Sequence, residues 1–433
     1  MSTIARDIAL PATPQPSLAE RLSREGVLRS LGQLRSGTLT VSEHGRSLQV
    51  GAGGAAGAGP GTSSLDATLR VHDPVFWLEV ATGGAVGASE SYMRGEWDTD
   101  DLTTLIRLLA RDRDALAGLE GGFASLRKPV LHALHAMRRN TRRGSRANIE
   151  AHYDLGNDFF ATFLDPTLMY SCAVFPDEAS GLDEAAVHKL DVICDRLRLS
   201  PGQEVLEIGT GWGGFAIHAA RRHGVRVTTT TISPAQYEVA ARRVREAGLE
   251  DRITLLREDY RDLPKLGRRF DRVVSIEMIE AVGHEYLHEY FRVIDAMLKH
   301  DGRAVLQAIV IRDQDEAAYK RGVDFIQRHV FPGGALPSVR GMTEAAAKVT
   351  SLRTEAIADY TPHYARTLRE WSARFESRLD DVRAQGFDER FVRLWRWYFA
   401  YCEAGFLERT CGLVQLELAG AAHGRGDGAR TRA

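Results

Sequence analysis

The stretch Glu207-Ile-Gly209-Thr-Gly211-Trp-Gly213-Gly214 constrains the fold more than any other. It follows the apolar run Gln203–Ile208, which predicts a strand, and it opens a helical stretch from Gly214 to Arg222. Glycines at such a junction let the backbone approach a ligand and leave the amides of a helix N-terminus free to meet it. The same alternation continues along the chain. Val225–Thr229, Ile253–Leu256, Arg272–Ser275 and Ala304–Ile309 predict strands, and Pro234–Ala247 predicts a helix between the first two. Strands separated by helices predict an α/β fold with a mostly parallel sheet and a ligand at the carboxyl ends of its strands.

A glycine turn of this kind serves dinucleotide enzymes too, but those place an acid at the end of the second strand for the ribose hydroxyls. Here that position reads Thr229-Thr-Thr231-Ile-Ser233-Pro-Ala-Gln236, with no acid. Glu207 instead stands two residues before the first glycine. This E-x-G-x-G arrangement resembles the first motif of class I methyltransferases that use S-adenosylmethionine (SAM).

The rest of the chain organises around this core. Short alternating segments such as Leu39–Val41 and Ala67–Val71 predict strands within 37–86, separated by a low-complexity loop from Gly51 to Pro60. Ser89 to Leu109 reads as one helical stretch, with Leu102, Ile106 and Leu109 on a face. Residues 1–130 are therefore expected to form a smaller α+β domain, 131–147 a basic linker, and 148–433 the α/β domain, with an insertion at about 311–390. From Arg127 to Arg146 there are seven basic residues (Arg127, Lys128, Arg138, Arg139, Arg142, Arg143, Arg146) and no acid. Such a run suits an anionic surface, or is simply a solvated linker. The four cysteines are widely spaced without a CxxC pair, which points away from a zinc site or a disulfide framework and toward a reducing compartment. No apolar stretch reaches the roughly 18 residues needed to span a bilayer.

Three further segments narrow the family. They are His152-Tyr-Asp-Leu-Gly-Asn-Asp-Phe-Phe160 followed by Met169-Tyr170-Ser171-Cys172-Ala173, then Ser275-Ile-Glu-Met-Ile-Glu280-Ala-Val-Gly283, then Phe331–Pro337 with His363-Tyr364 beyond it. In this order they resemble the cyclopropane-fatty-acyl-phospholipid synthase and mycolic acid cyclopropane synthase family. The resemblance runs from about Asn148 to Leu416, and Glu90–Trp97 extends it to the full-length members.

The resemblance implies a class I SAM-dependent methyltransferase, Rossmann-like, acting on a membrane phospholipid, with 148–433 as its catalytic domain and the insertion at about 311–390 binding the acyl chain. Tyr170 and Ser171 would contact the methionine end of the cofactor, and Glu207, Gly209, Gly211 and Gly213 would form the turn beneath it. Thr231 and Gln236 would take the ribose role, with Asp259 near the adenine. Glu280, Cys172 and Tyr364 match positions that hold a bicarbonate ion beside the transferred methyl, and Gln307, which can hydrogen-bond an anion, and Ile309 join them as catalytic candidates. An alkene is a weak nucleophile, so attack on the sulfonium methyl needs alignment above all, and the carbocation that results must be kept dry until a base takes a proton. Where cyclopropane-forming members carry histidines, this chain has Ala281 and Gln307. Those two positions resemble the branch that makes a 10-methylene-octadecanoyl chain, the precursor of tuberculostearic (10-methylstearic) acid once a separate reductase acts. The expected location is cytoplasmic and peripheral at the inner membrane face. A homo-oligomer is compatible with the sequence, and no metal or nucleic-acid partner is expected.

Blander readings stand beside these. Cys172 alone reads as a small buried residue and Glu280 as a helix N-terminal acid. Trp371, Trp395 and Trp397 fit either a core or an acyl tunnel. A cyclopropane product, a small-molecule C-methyltransferase and a lipid-binding protein without catalysis remain the alternatives.

Overall fold

Consecutive residues of the central strands in the larger unit are buried, with successive side chains entering opposite faces, as a sheet covered on both sides requires. Val205, Val274 and Val305 pack with Phe215, Ile193 and Leu197 on one side. Their chain neighbours Leu206, Val273 and Ala304 pack with Phe291, Ile294 and Met297 on the other. The computed structural model describes residues 16–51, 64–113, 140–141, 144 and 155–422. The chain divides into two units, Met1–Arg127 and Lys128–Ala433.

In the smaller unit, α1 (Leu18–Leu31) starts at a capping box in which Ser17 and Glu20 each satisfy the other's backbone amide. Strands β1 (Gly37–Glu43), β2 (Arg46–Val50), β3 (Leu65–Val71) and β4 (Trp97–Asp98) form a sheet in the order β2-β1-β3-β4. β1 and β3 run parallel, and their alternate residues Leu39, Val41, Leu65, Leu69 and Val71 are buried. Helix α2 (Val75–Met93) begins where the sequence suggested further strand. The single helical stretch expected from Ser89 to Leu109 is two helices. Gly95 (φ +79°) turns the chain out of α2, Trp97 pairs with Val71, and Asp101 caps α3 (Leu102–Arg111). Periodicity alone hid this break. The buried face of α3 is Leu105, Ile106 and Leu108, not the expected Leu102 and Leu109.

The larger unit carries a seven-stranded sheet in the order β10-β11-β9-β8-β5-β6-β7. Its strands are β5 (Glu204–Ile208), β6 (Arg226–Thr230), β7 (Ile253–Leu256), β8 (Phe270–Ile276), β9 (Leu298–Ile311), β10 (Arg353–Asp359) and β11 (Cys411–Ala419). β9, β8, β5, β6 and β7 are parallel, while β11 and β10 join as an antiparallel edge. This is the α/β, mostly parallel architecture expected of a class I methyltransferase. β10 and β11 were not foreseen. Arg303, 1% exposed, fastens that edge by reaching Glu417 on β11 at 2.7 Å and Glu355 on β10 at 2.6 Å. Removing one partner of such a buried pair typically costs about 3–5 kcal/mol.

The helices that position the site are α4 (Leu182–Leu197), α5 (Gly214–His223), α6 (Pro234–Glu246), α7 (Leu287–Met297), α8 (Val339–Val349), α9 (Thr361–Ser377) and α10 (Glu389–Leu407). Strand order reverses between β5 and β8, so the crevice beyond their carboxyl ends is where a ligand belongs. The seven basic residues of the 127–146 run lie outside the described residues, as do residues 52–63 and His152 to Asp154. Asn140 is described and buried in the larger unit, donating to the Gly333 carbonyl at 2.7 Å. Among the described residues, no helix is long and apolar enough to cross a membrane.

Candidate active site

The glycine turn lies at that crevice. Gly209 and Gly211 have φ of +105° and +51°, which favour glycine over residues bearing a Cβ. The amides of Gly209 and Thr210 both donate to the Thr230 carbonyl, tying the turn to the end of β6. A Cβ on Gly209 would lie 3.3 Å from the Met278 side chain, and one on Gly214 would lie 2.7 Å from Met169 Sδ. The turn is thus flanked by the two segments that the motifs singled out. Gly213 (φ +84°) precedes α5. Glu207 is 2% exposed, and burial pushes its carboxyl up to about 8 against a lowering hydrogen bond from Thr229. Its Oε2 has no hydrogen-bond partner among the described residues.

The residues expected around the ribose and adenine sit at the ends of β6 and β7. Thr231 Oγ1 donates to Gln236 Oε1 at 3.0 Å, and both side chains are buried. Asp259 follows β7, but its carboxylate is held by Arg261 through bonds of 2.8 and 2.6 Å. These three follow β6 and β7, whereas the acidic cluster described next follows β8.

Tyr170 and Ser171 cross from the turn to that cluster. Tyr170 donates to Tyr398 Oη at 3.0 Å, and its ring lies among Phe160, Phe163, Trp371 and Phe331. Ser171 Oγ accepts from Lys189 Nζ at 2.9 Å. Lys189 on α4 is fully buried, and loss of hydration lowers its ammonium to about 8 despite the opposing pull of Glu277. Trp371 and Trp395 are both 1% exposed, packed in an aromatic cluster with Phe163.

At the end of β8 the backbone makes an unusual turn. Glu277 has φ +51°, a left-handed conformation that costs a non-glycine residue about 1 kcal/mol or more. Its carboxylate collects the side chains that the motifs pointed to. Tyr364 Oη donates to Oε2 at 2.6 Å. Gln307 Nε2 and the Cys172 backbone amide donate to Oε1 at 2.7 and 2.9 Å. Gln307 is aimed by Gln415 on β11, whose Nε2 donates to Gln307 Oε1 at 2.9 Å. Burial raises the Glu277 carboxyl, while Tyr364, Gln307 and Cys172 hold it back.

Glu280 follows in a single tight turn, Ile279–Ala281. Its Oε1 accepts from the Ile309 amide at 2.6 Å, and its Oε2 has no partner among the described residues. Burial, then the neighbouring Glu277 charge, pushes it up to about 8. Both glutamates keep some accessible surface, yet lost hydration dominates each. Neighbouring carboxylates in such a site oppose each other's ionisation, and the Glu277 charge adds to the rise at Glu280.

Glu280, Tyr364, Cys172, Gln307 and Ile309 are therefore brought together, but around Glu277. Cys172 takes part through its backbone, because its thiol is buried against the Ala173 carbonyl at 3.1 Å and burial holds it well above the usual range. Glycine turn and Glu207 suit SAM, since a Cβ on Gly211 would meet nothing within 4 Å and Glu207 ends the preceding strand with a buried, unpartnered oxygen. A separate bicarbonate does not fit this arrangement, because its expected donors already serve Glu277 and Glu280. Glu277, Lys189 and Gln415 were not foreseen as site residues. Glu277 was within a quoted motif, and a second acid three residues before Glu280 was the available signal. Lys189 and Gln415 carry none, being ordinary residues of a helix and a strand. Elsewhere, ligand atoms of Cys194, His218 and His223 come within 4.8 Å of one another, a proximity that their sequence spacing conceals. His218 already meets Asp191 at 2.8 Å.

Comparison with known proteins agrees with this geometry. The family profile described as mycolic acid cyclopropane synthetase matches residues 140–416. The tuberculostearic acid methyltransferase UfaA1 of Mycobacterium tuberculosis is 37% identical over 370 residues, 81% of this chain and 83% of that protein. The cyclopropane-fatty-acyl-phospholipid synthase of Escherichia coli K12 is 37% identical over 356 residues, 82% of this chain and 88% of that one. The crystal structure of mycolic acid cyclopropane synthase CmaA1 complexed with SAH and CTAB is 30% identical, with a TM-score of 0.58 over 63% of this chain and 98% of that one. With its parallel sheet, glycine turn and buried glutamate cluster, the chain belongs to the mycolic acid cyclopropane synthetase family of SAM-dependent methyltransferases.

Proposed function

We propose that the chain methylates the double bond of an oleoyl-type chain on a membrane phospholipid and releases a 10-methylene branch. The observation that carries this reading is the Glu277 shell beside the glycine turn, built from Tyr364, Gln307 and the Cys172 amide with no imidazole among the described residues. Both relatives named above that modify fatty acyl chains support the substrate class, and the tuberculostearic name of one supports the branch.

SAM, when bound, supplies an electrophilic methyl group. The chain's residues then have three tasks. The turn at Gly209 and Gly211, with Tyr170 and Ser171, holds the methyl donor in line with the alkene; Thr231, Gln236 and Asp259 are assigned to its nucleoside end. The aromatic surroundings of Tyr170 exclude water from the cation left on the acyl chain. An ionised carboxylate beside Glu280 stabilises that cation and receives a proton. With no imidazole in the shell among the described residues, the cation lives long enough for a hydride shift, so the proton leaves to form a methylene instead of a ring.

The same reading assigns acyl contact to the segment at about 311–390, which contains α8, β10 and α9. It assigns attraction to anionic lipid to the basic run from Arg127 to Arg146, and saturation of the product to a separate reductase. The test is incubation with SAM and dioleoyl phosphatidylglycerol vesicles, followed by proton NMR of the extracted lipid. Vinylidene protons are expected. High-field cyclopropane protons would overturn the branch, and unchanged oleoyl chains would overturn the substrate.

A further inference from the structure

We infer that Glu277 is the general base of this site, and that its carboxylate stands where a separate bicarbonate would otherwise be held. The inference deepens the function proposed above, which supplies the step that the base serves.

Three observations carry it. The first is occupancy. Tyr364, Gln307 and the Cys172 amide were each expected to hold a free anion, and all three donate to Glu277 at 2.6–2.9 Å. The amide of Ile309, another expected catalytic position, serves Glu280. Gln307 cannot turn away to serve another anion without losing Gln415, which fixes its amide. A bicarbonate here would also add a second negative charge against Glu277 in a site poor in water.

The second is the backbone. Position 277 has φ +51°, which glycine adopts freely and glutamate does not. Strain of this kind persists where the surroundings over-determine a side chain, and it concentrates at functional sites. Here three hydrogen bonds to one carboxylate are the over-determination.

The third is location. Met278, the next residue, is the side chain that a Cβ on Gly209 would touch. Glu277 therefore sits one residue from the floor of the methyl-donor turn. Lys189, buried within range of its charge, offsets the carboxylate without a direct bond to it.

The step balances without a co-reactant beyond the methyl donor. The alkene electron pair forms a bond to the methyl carbon as the sulfur–methyl bond breaks, leaving the positive charge on an acyl carbon. A hydride then moves to that carbon from the methylated one. A C–H bond of the new methyl breaks, its electron pair becomes the methylene double bond, and the proton goes to a Glu277 oxygen. The neutral carboxylic acid returns that proton to solvent.

The test compares wild type, Glu277→Gly and Glu277→Gln in buffer stripped of carbon dioxide. Binding of carbon-13-labelled bicarbonate is followed by NMR, and methylation of dioleoyl phosphatidylglycerol is followed in parallel. Glycine relieves the strained backbone and opens the anion's place, whereas glutamine keeps the place filled. Wild type should bind no bicarbonate saturably and should turn over at full rate without it. Glu277→Gly should bind bicarbonate and regain turnover as it is added. Glu277→Gln should bind SAM normally yet lose about 10²- to 10⁴-fold in rate, with no rescue. Saturable bicarbonate binding by wild type, or near-normal turnover by Glu277→Gln, would overturn the inference. The binding arm needs no lipid turnover, so a wrong substrate would show only in the other arm.

Discussion

Taking one oxygen atom from Tyr364 separates its packing from its polar role. The ring is 5% exposed, stacks on Phe406 at 4.3 Å and meets Trp371 edge-on at 6.2 Å. Phenylalanine keeps that volume and those contacts, so Tyr364→Phe should fold and bind SAM as wild type does. What it loses is the 2.6 Å hydrogen bond to Glu277. A hydrogen bond to a charged group contributes about 1.5–3 kcal/mol, which corresponds to a roughly 10- to 160-fold loss of kcat if it acts on the ionised base. The direction with pH follows from the same bond. Tyr364 favours the charged form of Glu277 against burial, so its removal raises the Glu277 pKa further. The base is then protonated at higher pH, and the acidic limb of the rate profile should move upward. Initial rates of S-adenosylhomocysteine formation on dioleoyl vesicles, measured across pH, read both effects. An acidic limb that coincides with wild type would refute the reasoning, whatever the rate at its plateau.

Two further outcomes are expected. Gly209→Val places a branched side chain at φ +105° and within 3.3 Å of Met278, so SAM binding by calorimetry should vanish; retained affinity would move the cofactor elsewhere. For Glu280, the folded pKa of about 8 lies above the ordinary 4.5, so the folded chain holds a proton that the unfolded chain releases between those values. Its stability therefore falls as pH rises through that window, by at most about 1.4 kcal/mol per pH unit. Glu280→Gln should remove this slope, its advantage over wild type growing from pH 5 to pH 8 in urea melts, and parallel curves would show that Glu280 is ionised.

The parallel part of the fold was legible because each strand is short, apolar and bounded by turn residues, so β5 to β9 appear where the pattern placed them. β10 and β11 were missed for a physical reason. β10 lies at the sheet's edge with most residues exposed, and β11 follows the long helix α10 without a turn signal strong enough to mark it. The site was legible as a set of residues and illegible as an arrangement. Tyr364, Gln307 and Cys172 were identifiable through motif order, but the object they surround depends on a left-handed backbone at Glu277 that no spacing rule reveals. Asp259 illustrates the opposite case, since its pairing with Arg261 two residues on is local, yet nothing in the motif order separates that role from contact with a ligand.

The bond from Gln415 to Gln307 has a consequence for how the enzyme comes into being. Gln415 is on the last strand of the sheet and is made long after the turn at Gly209 and the Glu277 bend. A nascent chain that has emerged only as far as β9 already carries the methyl-donor turn, but the Gln307 amide is not yet oriented and Glu277 lacks one of its fixed donors. The aim of the catalytic amide is thus set by the last strand to be made, and a chain truncated before β11, which loses both that aim and the core residues Leu416 and Leu418, is expected to lack turnover.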